Sequence, residues 1–300
     1  MPFTACPSPL PSVDALSQHA VALHRLPTTA DGSPVQVQAQ ERTLASEVPI
    51  ALVFNGISHA VMLGTPQDLE DFALGFALSE GLIDSAADCF GVEVAPVAAS
   101  AAGLPEGMDG MEVQIEISSR CFARLKDHRR SLSGRTGCGV CGVESFAALD
   151  LSFAPLPVQP WMDQLDLPVV LRAIEALRDK QLLNAQAGAI HAAGWALPDG
   201  QLLDVVEDVG RHNALDKLLG RLARTGRLGQ PGFVVLSSRG SHELVRKCAK
   251  LGVSALATIS APTAMGVRMA ELTGLRLWGL CRAPSAVLYA PGAGQPPIPG

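Results

Sequence analysis

The chain carries few charges for its length, and positive charge is not in excess. Charged residues make up 17% of the 300 residues, and the net charge is −6 at pH 7. Proteins that bind nucleic acid without sequence preference are usually basic, so we discount that class. An anionic ligand would therefore need a local basic site. The hydrophobic content of 48% is enough for a substantial core.

Long apolar runs are also missing, and no leader segment is predicted. The longest apolar stretch, "GVSALATISAPTAMGV", is shorter than the roughly 18 apolar residues that a membrane span needs. The N-terminal "MPFTACPSPLPSVDALSQH" has no basic segment followed by an apolar run, so no secretory signal is predicted. The seven cysteines are odd in number and scattered, unlike a secreted disulfide framework. We therefore expect a cytoplasmic protein.

Alternating strands, one amphipathic helix and a short basic helix, "RCFARLKDHRR", predict an α+β domain over residues 19–133, after a disordered tail over residues 1–18. Asn55-Gly56 joins two apolar strands and predicts a tight hairpin, because both turn residues accept positive φ. The segment "TPQDLEDFALGFALSEG" follows as a helix, with Thr65 as its N-cap and Pro66 in its first turn. Two further alternating segments, "GVEVAPV" and "MEVQIEI", predict strands.

Strands and helices alternate over residues 166–290 in a pattern typical of a second α/β domain. The sheet is expected to be largely parallel and covered by helices. A glycine-rich Cys loop and a proline-rich linker, residues 134–165, separate the two domains. The last segment, residues 291–300, is predicted to be a loose tail.

Ligands gather at the carboxyl ends of strands in such sheets, and these ends hold arginines here. Arg211 and His212 open a helix after one strand, and Ser237 and Arg239 follow another. Arg282 follows the last predicted strand. Arginine beside a helix N-terminus suits a phosphate group. For His191 a core position is expected, with a ligand contact as the alternative, and Asp216 and Lys217 are expected to be structural or solvent-facing.

The segment "GRTGCGVCG" contains a Cys-x-x-Cys pair, Cys138 and Cys141, for which several chemistries are open. A structural zinc site needs four ligands, and no second pair is present. A thioredoxin-like pair would lie at a strand–helix junction, whereas this pair lies between domains. A packed, inert pair is a further alternative. Basic residues from Arg120 to Arg135 would favour a reactive thiolate on a mobile loop.

At "GRTGCGVCGVE" the sequence resembles the FdhD family, the sulfur carriers that serve molybdenum-dependent formate dehydrogenases. Four further segments carry the resemblance, and together they cover most of residues 45–290: "EVPIALVFNGISH", "DFALGFALSEGLI", "EDVGRHNALDKLLG" and "LSSRGSHELVRK". The resemblance implies that a cysteine desulfurase passes sulfur to Cys138 as a persulfide, with Cys141 as the partner thiol. It further implies a sulfurtransferase that delivers this sulfur to the molybdenum bis(molybdopterin guanine dinucleotide) cofactor.

The same resemblance implies a fold, a ligand segment and partners. The second domain is expected to have a cytidine-deaminase-like α/β/α fold without the deaminase zinc, and no structural metal is expected. The client cofactor would bind the segment Leu280, Cys281, Arg282, Ala283, Pro284 and Ser285. Family members often have a second basic residue and a glycine there, which this chain lacks. The resemblance also implies that the protein forms a homodimer and that its client is a formate dehydrogenase.

Two alternative functions remain open from the sequence. One is a non-catalytic chaperone of the molybdenum cofactor, in which the Cys pair is structural or senses redox state. The other is a disulfide oxidoreductase. A carrier differs from both, because it requires a covalent sulfur on Cys138.

Overall fold

Three sheets organise the part of the chain that the computed structural model describes, which is residues 13–25, 35–131, 154–296 and 298. The smallest sheet is an antiparallel ribbon of β1 (Leu16–Arg25) and β2 (Gln36–Ala45). Because β1 begins at Leu16, the tail predicted for residues 1–18 is too long. No helix among the described residues is long and apolar enough to cross a membrane.

The second sheet has four strands in the order β4-β3-β6-β5, with helices packed on one face. Strands β3 and β6 are parallel, and the other two pairings are antiparallel. The elements are β3 (Val48–Phe54), β4 (Ile57–Gly64), α1 (Leu69–Ser79), β5 (Cys89–Val97), α2 (Ala99–Ala102), β6 (Gly110–Ile117) and α3 (Ser119–Ser131). A 3-10 turn over Ala86–Asp88 precedes β5.

The hairpin predicted at Asn55-Gly56 is confirmed. The two residues have φ angles of 47° and 77°, the combination that a tight two-residue turn between twisted strands requires. The Asn55 side chain also binds the neighbouring strand, donating to Ile117 O at 3.0 Å and accepting from Ile117 N at 2.7 Å. The asparagine therefore fixes both the turn and the adjacent strand end.

The predicted start of α1 is wrong. The helix begins at Leu69 after Asp68, which has a left-handed φ of 53°, and Thr65 does not cap it. Thr65 is instead fully buried, and its Oγ1 accepts a hydrogen bond from Val209 N at 3.1 Å. The helix is also buried on almost all sides rather than along one stripe, because a helix of the other sheet covers its second face.

The third sheet has six strands in the order β12-β11-β10-β9-β7-β8. Among the described residues, only the pairings of β9 with β10 and of β10 with β11 are parallel, so the expectation of a largely parallel sheet is wrong at both ends. The elements are α4 (Leu167–Asp179), α5 (Leu182–Ala187), β7 (His191–Ala196), β8 (Leu202–Asp208), α6 (Arg211–Arg224), β9 (Phe233–Leu236), α7 (His242–Lys250), β10 (Ala255–Thr258), α8 (Ala264–Thr273), β11 (Arg276–Arg282) and β12 (Ser285–Ala290). β12 was not predicted.

Helices cover both faces of this sheet. Successive residues of β9 point to opposite faces, so Val234 and Leu236 pack with α6, α7 and α8, whereas Phe233 and Val235 pack with α4. Leu156 joins the first of these cores and Met162 the second, so part of the predicted linker is packed. The domain boundaries themselves stay predictions.

The chain after β12 is held to the fold as well. Ala293 N donates to Gly274 O at 2.8 Å, and the Gln295 amide donates to Asp163 at 2.9 Å. The prediction of a loose tail from residue 291 is therefore wrong up to residue 295.

Helices α1 and α6 pack against each other between the second and third sheets. At their closest approach each helix has a glycine, Gly75 in α1 and Gly220 in α6. A Cβ on Gly75 would lie 1.8 Å from Asp216 O, and a Cβ on Gly220 would lie 1.9 Å from Asp71 O. The two backbones therefore touch. Ion pairs flank the crossing, because the buried Asp71 carboxylate binds both Arg221 and Arg224 at 2.8 Å.

Candidate anion-binding site

Four strands of the six-stranded sheet end at the same edge. Strand β8 is antiparallel to β7, and β7 is antiparallel to β9, so β8 runs in the direction of β9, β10 and β11. The carboxyl ends of these four strands therefore lie at one edge of the sheet. The predicted residues Arg211, His212, Ser237 and Arg239 follow strands at this edge, and Arg282 is the last residue of β11.

Two helices begin at this edge, and no side chain in the described part of the chain is bonded to their first N–H groups. The N-cap of α6 is Gly210, and the N-cap of α7 is Ser241, whose side chain does not cap. Ser241 is 8% exposed, and its buried Oγ has no hydrogen-bond partner among the described residues. By contrast, Thr263 caps α8 by accepting from Gly266 N at 3.1 Å. The starts of α6 and α7 thus present N–H groups that suit an anion.

Arg211 lies at the first of these helix starts. It is half-buried, and its buried Nε has no hydrogen-bond partner within the described ranges. The His212 ring pairs with the Glu243 carboxylate at the start of α7, which ties the two helices together. Burial lowers the pKa of His191 on β7, and the nearby Arg211 charge lowers it further. A cation at a helix N-terminus is unfavourable on its own, so this arrangement favours a bound anion.

The segment from Leu280 to Ser285 forms the tight turn between β11 and β12, with Arg282 paired to Ser285. Leu280 has a φ of 52°, and a cis peptide bond joins Ala283 to Pro284. All of the segment is exposed except Cys281, whose side chain is fully buried in the core on the α4 face. Five of the six predicted residues can therefore reach a ligand with their side chains, and Cys281 only with its backbone.

The two residues predicted after β9 differ in what they can reach. Ser237 extends the pairing of β7 with β9, because its Oγ accepts from Ala192 N at 2.8 Å and its N donates to Ala192 O at 3.0 Å. Arg239 is exposed at the same edge. We therefore keep Arg239 as a candidate for ligand contact, whereas Ser237 is engaged in the sheet.

The cysteines Cys138 and Cys141 lie outside the described residues. The described cysteines are Cys89, Cys121, Cys248 and Cys281, and all four are free thiols. Burial raises the pKa of the Cys281 thiol to about 12 and raises that of Cys248 as well. Neither of these two supplies a thiolate near neutral pH.

One group of potential metal ligands occurs in the described part of the chain. It consists of Asp84, Asp88 and Cys121, whose ligand atoms lie within 4.8 Å of one another. Arg120 binds both carboxylates, at 2.7 Å and 3.2 Å, and Arg124 binds Asp84 at 2.9 Å. The carboxylates are thus already neutralised by arginines.

Two residues of the anion site were missed from the sequence, namely Ser241 and Glu243. Both lie at the start of α7, and the available signal was a serine directly before a predicted helix that follows a strand. Asp216 and Lys217 are structural, as expected, but neither faces solvent, since both are at least 98% buried. They lie at the contact between the two larger sheets.

Comparison with known proteins finds a matching family model and similar sequences. The model of the FdhD/NarQ family matches residues 45–293. A protein named sulfur carrier protein FdhD from Bordetella bronchiseptica is 48% identical over 86% of this chain and 89% of its own length. A protein of the same name from Bordetella petrii is 45% identical over 86% of this chain and 88% of its own.

The fold is also similar to that of a crystal structure from Desulfotalea psychrophila, described as a formate dehydrogenase accessory protein. The TM-score is 0.66 at 21% identity, and the match covers 92% of this chain and 97% of that one. The resemblance seen in the sequence is thereby confirmed, and the mixed α/β fold is that of this structure. This chain belongs to the FdhD/NarQ family.

Proposed function

We propose that this protein is a cytoplasmic sulfur carrier that activates formate dehydrogenase through its cofactor. Sulfur from a cysteine desulfurase would pass onto Cys138 and then to the molybdenum bis(molybdopterin guanine dinucleotide) cofactor. The observation that carries the proposal is the pair of helix starts at α6 and α7 that no described side chain caps, together with Arg211 Nε at the first of them, which has no hydrogen-bond partner among the described residues. Relatives named sulfur carriers support the sulfur step.

The cofactor is the substrate of this reaction, and its pyrophosphate groups fit the chemistry of the site. Backbone N–H groups at a helix start donate to phosphate oxygens, and arginine adds charge-assisted donors. Arg211, Arg239 and Arg282 would provide that charge, and Ser241 Oγ provides a further polar group. A reducing compartment is required, because the transferring thiols have to return to the thiol state. A homodimer remains part of the proposal.

The sulfur steps balance as thiol–disulfide exchanges. The Cys138 thiolate attacks the outer sulfur of the desulfurase persulfide, forms a new S–S bond and displaces the desulfurase cysteine as a thiolate. The Cys141 thiolate then attacks the inner sulfur of Cys138. The outer sulfur leaves with the bonding electron pair, a Cys138–Cys141 disulfide forms, and an external thiol reduces that disulfide before the next cycle.

Persulfide formation is the first expected result. After incubation with a cysteine desulfurase and free cysteine, without reductant, the intact mass of the protein should rise by one sulfur atom. Cys138→Ala should take up none, whereas Cys89→Ala, which alters a half-buried thiol of the second sheet, should behave like the wild type. Sulfur retained by Cys138→Ala would contradict the carrier function.

The chaperone alternative predicts a different activity. Formate dehydrogenase matured with Cys138→Ala should be inactive if the protein is a carrier, and active if the protein only escorts the cofactor. In a disulfide oxidoreductase, the variant would lose disulfide exchange with model dithiols, and the wild type would acquire no sulfur.

Guanosine diphosphate should bind at the strand edge. We expect Arg211→Ala and Arg282→Ala each to weaken binding by about tenfold, the loss of one charge-assisted contact. Arg172→Ala is the matched control, because Arg172 is exposed on α4 and donates to Asp199 in the β7–β8 turn, at the opposite edge. Isothermal titration calorimetry measures the dissociation constants of the wild type and the three variants. If Arg211→Ala and Arg282→Ala both bind as tightly as the wild type, the proposed site is wrong.

A further inference from the structure

Asp208 ends strand β8 and is fully buried, with four donors around its carboxylate. Oδ1 accepts from Gly210 N at 2.7 Å and from Asn213 Nδ2 at 3.1 Å. Oδ2 accepts from Thr65 N at 3.1 Å and binds Lys217 Nζ at 2.7 Å. Charge-assisted bonds of this kind are the stronger ones in proteins, so this carboxylate fixes the groups around it.

The second sheet contributes to the same cluster through the end of β4 and the residue that follows it. Thr65 Oγ1 accepts from Val209 N at 3.1 Å, and Thr65 O accepts from Lys217 Nζ at 3.0 Å. Leu63 O accepts from Asn213 Nδ2 at 2.8 Å. The two N–H groups of the turn at residues 209–210 are therefore both occupied, one by Asp208 and one by Thr65.

This turn leads directly into the anion site. Arg211 is the next residue, and the first bond of α6 is Ala214 N to Gly210 O at 2.9 Å. The N–H groups of residues 211–213 therefore precede the helical bonding pattern. Because Asp208 holds the Gly210 N–H inside the protein, the turn fixes where α6 begins and therefore where these three groups and Arg211 lie. A Cβ on Gly210 would lie 2.9 Å from Asn213 Nδ2, so the turn has little freedom.

We propose that Asp208 and Thr65 are positioning residues of the anion site, acting through the turn at residues 209–210. They do not touch the ligand; they hold the start of α6 so that Arg211 and the free N–H groups converge on it. The inference rests on the proposed function, since the anion is taken to be the nucleotide portion of the cofactor. It adds that the second sheet completes a site located on the third.

The test compares two buried hydroxyl groups in the contact between the sheets. Thr65→Val removes the acceptor for Val209 N at nearly constant volume, and Thr65→Ser retains it. Ser79→Ala is the matched control. Ser79 is also fully buried and donates to Asp216 Oδ1 at 2.7 Å, in a different cluster of the same contact. Both Thr65→Val and Ser79→Ala should lower the melting temperature.

Of these two variants, only Thr65→Val should affect ligand binding. We expect its dissociation constant for guanosine diphosphate to rise by about tenfold, because the turn loses the hydrogen bond from Val209 N to Thr65 Oγ1. Thr65→Ser keeps this acceptor and should restore the affinity. Hydrogen–deuterium exchange at residues 209–213 should be faster in the free Thr65→Val protein and unchanged in Ser79→Ala. Asp208→Asn should show both effects more strongly. If that variant does not fold, the Thr65 pair decides the outcome.

The two proposals can fail separately. If the wild type does not bind guanosine diphosphate, the ligand assignment is wrong, and the exchange experiment still decides the positioning role. Faster exchange confined to residues 209–213 in Thr65→Val would support that role. If Thr65→Val matches Ser79→Ala in both exchange and affinity, Thr65 is merely structural and the inference is overturned.

Discussion

Replacing Gly75 by alanine is expected to destabilise the protein by about 4 kcal/mol or more, a loss that few single substitutions cause. The new Cβ would lie 1.8 Å from Asp216 O, so α1 and α6 would have to separate. Helix propensity alone predicts the opposite, because alanine is favoured over glycine within a helix by about 1 kcal/mol. The sign of the change in the free energy of unfolding, measured by urea unfolding, therefore shows whether the helix contact or helix propensity dominates.

The matched control is Gly91→Ala in β5, where an added Cβ meets no atom of the described residues within 4 Å. That variant should change the free energy of unfolding by no more than about 0.5 kcal/mol. Gly220→Ala should reproduce the effect of Gly75→Ala, since its Cβ would lie 1.9 Å from Asp71 O. The double variant should cost less than the sum, because one substitution already separates the helices. Near-wild-type stability of both single variants would contradict this packing.

Features that depend on a few adjacent residues could be predicted from the sequence. The Asn55-Gly56 hairpin is one, since the requirement for positive φ is local to the turn. The strand–helix alternation after residue 189 is another, and it placed Arg211, Arg239 and Arg282 at strand ends. Those ends share one edge of the sheet although the sheet is mixed, so the ligand site proposed there stays a prediction based on the general rule for strand ends.

Features that depend on distant partners could not be predicted. Thr65 looked like a helix cap, but its hydroxyl binds Val209 instead, a contact 144 residues away in sequence. Leu69, Phe72 and Phe76 recur at helical spacing and predict one buried face of α1, and nothing in its own sequence reveals that α6 covers the second face. Lys217 was predicted to be structural or solvent-facing, and only the fold shows that its charge is fully buried against Asp208.

The side chain of Cys281 shows a third kind of failure. Strand alternation would place Leu277 and Cys281 on the same face of β11, yet Leu277 packs with α6, α7 and α8, whereas Cys281 packs on the α4 face. The pairing of β11 with β12 shifts between Gly279 and Arg282, and Leu280 there has a φ of 52°. Such an irregularity reverses the alternation, and a sequence pattern does not reveal it.

The second large effect is expected for Lys247→Met, which should cost about 3–5 kcal/mol at pH 7. Lys247 Nζ lies 2.8 Å from Asp216 Oδ2, 2.7 Å from Glu80 Oε1 and 2.8 Å from Ser79 Oγ, and it joins α1, α6 and α7. Methionine fills a similar volume, but it leaves the buried Asp216 carboxylate without its cation. Most of the cost is thus an uncompensated charge rather than lost packing.

The cost should therefore shrink in acid. Burial raises the pKa of Asp216, so the folded state binds this proton more tightly than the unfolded state, and the carboxylate is most destabilising above its folded pKa. Burial also acts to raise the pKa of Glu80, but Lys247 and Arg246 outweigh it and hold that pKa at about 2. The stability that Glu80 contributes is complete above about pH 4.5 and is lost toward pH 2. Protonation of both groups therefore reduces the difference in free energy of unfolding between the wild type and Lys247→Met as the pH falls.

Asp216→Asn in the Lys247→Met background separates charge from packing. This double variant should be more stable than Lys247→Met at pH 7, because it no longer buries an unpaired carboxylate. Arg268→Met is the exposed control: Arg268 pairs with Glu271 at 3.1 Å in solvent, so its loss should cost no more than about 0.5 kcal/mol. Urea unfolding at pH 7 and pH 4 measures all four proteins. If Lys247→Met costs no more than Arg268→Met at pH 7, the buried pair does not join these helices.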